Sequence, residues 1–157
     1  MNRNIEAAKI IIRVAIGLII YLIISAQGAR ATTPIEITVA ADGSGKFKSV
    51  QEAIMSVPSG SADKPVIIRI KPGVYKELIY VQREKRFFHL IGENAEKTIL
   101  TYDLNANITG RDGKPIGTFR TPSTVIDADD FTAENITFEN SAGAVGQAVA
   151  IRVDGDR

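Results

Sequence analysis

The 157-residue sequence predicts an all-β fold, a right-handed parallel β-helix (β-solenoid) with a short N-terminal capping helix. Three observations carry this expectation. First, apolar segments of four to six residues recur at roughly ten-residue spacing from Val66 onward. That spacing is shared by sandwiches, barrels and β-solenoids. Second, no Asn-Gly turn of the kind hairpins favour separates any pair of segments, which argues for a coil that always turns the same way. Third, FTAENITFENSAG and QAVAIRVDGD both run through alternating apolar residues into a polar turn, as successive rungs of a solenoid do.

The N-terminus is expected to lie outside the fold. Arg3, Lys9 and Arg13 flank an apolar run over residues 14–26, and Ala29-Arg30-Ala31 is an A-x-A cleavage signal. This layout predicts a signal peptide over residues 1–31 rather than a membrane anchor, because the run is short of the ~20 apolar residues a spanning helix needs. A secreted protein with no membrane association after cleavage is the corresponding expectation. Residues 32–157 keep 15 of the 19 basic and 17 of the 18 acidic groups, a net charge of −2. With no basic run, nucleic acid is excluded as a partner class. The absence of cysteine excludes disulfides and thiolate-bound metals, and the single histidine, His89, excludes a multi-histidine zinc site.

Taken in order, Ile37, Val39 and Ala41 alternate with Thr38 and Ala40 as a first strand. Asp42-Gly43-Ser44-Gly45 is a tight turn. It lacks the spacing of a phosphate-binding loop. Val50, Ala53, Ile54 and Val57 then recur at helical spacing, with Ser49 as N-cap and Glu52 three residues on. Pro58 and Ser59-Gly60-Ser61 end that helix. Strands follow in VIIRI, LIYV, FFHLIG and TILTY, and over residues 124–128, 135–138 and 148–153; Lys71-Pro72-Gly73, Tyr75-Lys76-Glu77 and the charged stretch Arg83 to Arg86 read as turns between them. His89 reads as a structural strand residue. Residues 103–122 form the one long irregular segment. Such loops are uncommon unless they serve a function, and insertions in a solenoid collect on one face.

Two motifs carry a family resemblance. ITFENSAG followed by GQAVAIRVDGD resembles the pectinesterases, the carbohydrate esterases that demethylate pectin, and DGSGKFKSVQEAI resembles that family's opening segment, whose helix caps the solenoid. The resemblance spans nearly all of residues 37–157. It implies the parallel β-helix and hydrolysis of the methyl esters of polygalacturonate to carboxylate and methanol, with no cofactor and no metal. It further implies methyl-esterified pectin (homogalacturonan) as partner, and a monomer when the protein is full length. A non-catalytic β-solenoid that binds polysaccharide is the alternative from another class.

The resemblance also implies site residues. Its active-site glutamine falls on Gln147, whose amide would stabilise the anionic tetrahedral intermediate, a large contribution when a preorganised donor faces the developing oxyanion. Without the resemblance, an isolated glutamine between turn and strand reads as a surface residue. GTFRTPST resembles the segment whose threonine touches substrate, which places that contact at Thr118, with Thr121 as the alternative. Many plant members carry histidine where this chain has Gly146, a position with no catalytic role in the family. The acidic groups Asp127, Asp129 and Asp130, and Asp154 and Asp156, read as turn residues that bond their own backbone rather than as acid–base or metal pairs. The family's nucleophilic aspartate, its acid–base aspartate and its arginine lie in the motifs GYQDTL, DFIFG and LGRPW, none of which occurs in these residues. Residues 32–157 are therefore expected to be the N-terminal part of a catalytic domain, truncated before the nucleophile. Alone they are expected to be inactive, and prone to associate through an uncovered last strand.

Overall fold

The computed structural model describes residues 33–156; the expected signal peptide lies outside them. Ten strands fall into three sheets, every one of them parallel. β1 (Ile35–Val39), β2 (Val66–Ile70), β5 (Phe88–Gly92) and β8 (Thr132–Glu134) form the first. β3 (Gly73–Lys76), β6 (Thr98–Tyr102) and β9 (Thr137–Asn140) form the second. β4 (Ile79–Val81), β7 (Thr124–Ile126) and β10 (Ile151–Val153) form the third. The chain visits the sheets in the order first, second, third and then repeats, so β2-β3-β4, β5-β6-β7 and β8-β9-β10 are successive rungs of a parallel β-helix.

The register shows why these residues form this coil. Ile37 faces Ile68 and Ile68 faces Leu90, while Val39 aligns with Ile70 and Ile35 with Val66 and Phe88. Each rung thus sets an apolar residue on the one below, and all but Ile35 of these side chains are buried. Burial of one such side chain stabilises by roughly 1.5–3 kcal/mol. The lower end is closed by helix α1 (Val50–Met55), whose Val50, Ala53 and Ile54 join the same core. Ser49 caps it as expected, its Oγ accepting from the Glu52 N–H at 3.1 Å. Glu77, from the corner between β3 and β4, completes the cap by accepting from the Val50 N–H at 2.8 Å and the Ser49 hydroxyl.

Several local expectations are corrected. β1 begins at Ile35, and Ala41 lies beyond it, exposed. The helix stops at Met55, so Val57 packs on the core from outside it. Gly73–Lys76, read as turn, is a strand. Residues 135–138 are not one strand: Asn135 takes φ +55° between β8 and β9. The last strand covers only Ile151–Val153 rather than 148–153. The charged turn is not fully solvated, because Lys85 is 8% exposed and donates to the Val57 carbonyl, and Arg86 pairs with Asp130 at 2.6 Å. His89 sits half-buried in β5, in register with Ile67 and Thr132.

Candidate functional site

In each rung the chain turns a corner between the second and third sheets. In the first rung that corner is Glu77 and Leu78 alone. In the second it is the long segment 103–123, and in the third it is residues 141–150. Because consecutive rungs stack in register, the two longer corners lie on one another, and this brings Thr118 and Gln147 together across 29 positions of sequence.

The long corner is ordered by its own bonds. Thr109 and Pro115 form an antiparallel bridge, the Ile116 N–H donates to the Ile108 carbonyl at 2.9 Å, and the Gly117 N–H donates to the Ala106 carbonyl at 3.1 Å. A 3₁₀ turn, Thr118–Arg120, then delivers the chain to β7. Thr118 and Thr121 are three residues apart, the spacing that eclipses side chains on a 3₁₀ turn. Both address the upper corner. The Thr118 hydroxyl donates to Gln147 Oε1 at 2.5 Å, and Thr121 Oγ1 accepts from the Val149 N–H at 3.1 Å while donating to the Thr118 carbonyl at 2.7 Å. Thr121 has no accessible surface and its hydroxyl is used in both directions. Of the two threonines, Thr118 alone is open to a ligand.

Gln147 is held at the backbone as well, its carbonyl accepting from the Ala106 N–H at 2.8 Å. Its side chain is exposed, and with Oε1 engaged the Nε2 group has no partner among the described residues. Gly146, the departure from histidine, admits Asn107. A Cβ there would lie 2.7 Å from Asn107 Nδ2, the atom that donates to the Val145 carbonyl.

Asn140, at the end of β9, is a site residue that the sequence does not single out. Its Nδ2 faces three carbonyls, those of Leu104 at 2.9 Å, Thr121 at 3.1 Å and Val149 at 3.1 Å, and its Oδ1 accepts from the Ala142 N–H at 3.0 Å. One amide therefore pins both corners. No periodic signal marks such a role, since all its partners are distant in sequence or belong to irregular backbone.

One residue beyond Thr118 a groove of about 330 Å³ opens along the outer face of the third sheet, lined by Leu78, Tyr80, Phe119, Arg120, Val125 and Arg152 among others. Phe119 is 85% exposed. Arg152 donates to the Phe119 carbonyl at 3.2 Å and pairs with Asp154 at 2.8 Å, so β10 also braces the 3₁₀ turn. The Arg120 Nε donates to the Ile116 carbonyl at 2.7 Å, and among the described residues no carboxylate pairs with it.

The acidic clusters are spoken for. Asp127 accepts from the Tyr80 hydroxyl at 2.6 Å, and that bond holds the phenol above its ordinary pKa. Asp129 accepts from the Asp156 N–H at 2.9 Å, and Asp130 pairs with Arg86. Among the described residues no group of three or more His, Cys, Asp and Glu is placed to hold a metal ion. Where the long corner begins, Asp103 accepts from Lys76 Nζ at 2.7 Å. That hydrogen bond lowers the Asp103 pKa and raises that of Lys76.

Comparison with known proteins gives a consistent result. Residues 36–157 match the family model described as Pectinesterase. Pectinesterase 31 of Arabidopsis thaliana is 46% identical over 132 residues, which cover 81% of this chain and 41% of that protein. The pectin methylesterase from carrot superposes with a TM-score of 0.69 at 38% identity, over 82% of this chain and 38% of that one. A pectin methylesterase solved in complex with a hexasaccharide gives a TM-score of 0.66 at 31% identity, over 80% and 41%. The chain thus spans about two-fifths of the length of these relatives.

Proposed function

The chain belongs to the pectinesterase family, and from that premise we propose that it supplies the Gln147 corner of a carboxylic ester hydrolase acting on methyl-esterified polygalacturonate. The observation that carries the proposal is the state of the Gln147 amide: carbonyl end anchored by Thr118, NH₂ end exposed and unpartnered.

In the proposed reaction a carboxylate nucleophile, which the resemblance assigns to an aspartate outside these residues, attacks the methyl ester carbonyl. The carbonyl oxygen becomes an oxyanion, and on its collapse the methoxy group takes a proton from the acid–base aspartate, which the resemblance likewise places outside these residues, and leaves as methanol; that aspartate, now a carboxylate, accepts a proton from the water that hydrolyses the acyl-enzyme and frees the nucleophile. Gln147 Nε2–H donates to that oxygen as its charge develops. Donors aimed at the transition state rather than the ground state raise kcat. Thr118, half-buried beside it, offers its hydroxyl lone pairs to a sugar hydroxyl. The neighbouring groove supports a polyuronide as the occupant. Phe119 and Tyr80 offer apolar faces to pyranose rings, and Arg120 offers its cation to an unesterified carboxylate. Secretion and action at an extracellular wall or periplasm belong to the same proposal.

The test is Gln147→Ala in the complete esterase, assayed by methanol release from methylated pectin. Loss of one oxyanion donor should lower kcat about 10²-fold with little change in KM or stability. An unchanged kcat removes Gln147 from the catalytic residues.

A further inference from the structure

We propose that Thr118 is a positioning residue for Gln147: its hydroxyl proton holds the amide with Oε1 turned inward and Nε2 turned out. This rests on Gln147 being the oxyanion donor. A glutamine amide has two ends of nearly equal shape and opposite polarity. With Nε2 outward it donates to a developing oxyanion. Turned over, it would present Oε1 to the same negative charge.

The geometry distinguishes the two orientations. The Thr118 hydroxyl has one proton, and it goes to Gln147 Oε1 at 2.5 Å, the short end of the O–H···O range. The hydroxyl makes no other hydrogen bond among the described residues. With the amide turned over, Nε2 would have to donate to Oγ1, an N–H···O contact that prefers about 2.9 Å, whereas the 2.5 Å separation found here fits only an O–H···O bond. Thr118 itself is held, because Thr121 donates to its carbonyl through both Oγ1, at 2.7 Å, and its N–H, at 3.1 Å. Gln147 is fixed at its backbone by Ala106. The Gln147 side chain is otherwise exposed, and the Thr118 hydroxyl is what restrains its amide before substrate arrives. A substrate contact alone would act on binding; a positioning contact acts on the rate of the chemical step.

The experiment compares variants of the complete esterase on methylated pectin. Thr118→Val, which keeps the shape and removes the proton, should lower kcat about 10-fold. Thr118→Ser should restore most of that loss. The double variant Thr118→Val/Gln147→Ala should have the kcat of Gln147→Ala alone, since a lost amide has no orientation to lose. If Thr118→Val raises KM with kcat unchanged, or if the two losses in kcat multiply, the positioning role is wrong while the role of Gln147 stands. If Gln147→Ala itself leaves kcat unchanged, the underlying reading has failed instead. A measurement independent of activity is the ¹⁵N relaxation of the Gln147 side-chain NH₂. It should report an ordered amide in the native protein and in Thr118→Ser and a mobile one in Thr118→Val; equal order in all three overturns the proposal.

Discussion

Replacing Asn140 should loosen both corners of the site while leaving the coil intact. The Asn140 NH₂ group has two protons and three carbonyl acceptors within 3.1 Å. In Asn140→Ala the Val149 carbonyl keeps the Ser123 N–H at 3.1 Å, but the Leu104 and Thr121 carbonyls lose the only partner they have among the described residues, and Ala142 N–H loses its acceptor. A net hydrogen bond contributes about 1 kcal/mol, and an orphaned buried acceptor costs about 1–3 kcal/mol. Thr121 is fully buried and Leu104 partly so. The sum is about 3 kcal/mol, which corresponds to local opening on the order of 100-fold more frequent. Native-state hydrogen exchange reads this directly. The Ala106 N–H, bonded to Gln147, and the Val149 N–H, bonded to Thr121, should exchange faster by that factor, while amides of β2 and β5 hold their protection. Asn140→Asp, of equal size, should be at least as disruptive, because it turns a carboxylate toward three carbonyl oxygens. Unchanged exchange at Ala106 and Val149 would refute the reasoning. So would equal loosening of β5, which would mean that Asn140 supports the whole solenoid rather than its corners.

The Lys76–Asp103 pair predicts a pH signature. Asp103 has its pKa below 3.8 in the fold, so its contribution to stability is present above 3.8 and lost as pH falls through the lower folded value. Lys76 has its pKa above 10.5, so its contribution is present below 10.5 and lost as pH rises through the higher folded value. Asp103→Asn should therefore be less stable than the native chain near neutral pH, with the difference vanishing in strong acid and shrinking at ~1 M salt, because the pair is exposed and screened; a difference that persists at about pH 2 would rule out the ion pair as its source. Gly92→Ala should destabilise by ~1–3 kcal/mol, because the added Cβ would lie 2.2 Å from the Asn135 carbonyl oxygen, a backbone atom with little room to yield. Thermal or urea unfolding checks it, and native-like stability would mean that the rungs are more compliant than their register implies.

The local elements and the class of fold were legible in the sequence because their signals are local. Alternation in VIIRI and FFHLIG marks strands buried on one face, and Ser49 with Val50, Ala53 and Ile54 marks a capped helix, whatever lies far away in the chain. The motifs around Thr118 and Gln147 were legible for another reason, resemblance, and nothing in their own spacing pointed to chemistry. β3 escaped notice because only Tyr75 of its four residues turns inward while Val74 is exposed, too few positions for a period of two to register. Lys85 escaped because a lysine in a charged run gives no sign that its stem will be covered and its ammonium taken by the Val57 carbonyl. What only the tertiary structure decided is the site itself. Thr118 meets Gln147, and Asn140 ties segments 103–123 and 141–150 together, because each turn of the coil sets one corner on the corner below. That stacking depends on the parallel register of β6 with β9 and β7 with β10, a pairing between residues tens of positions apart that no window of sequence contains.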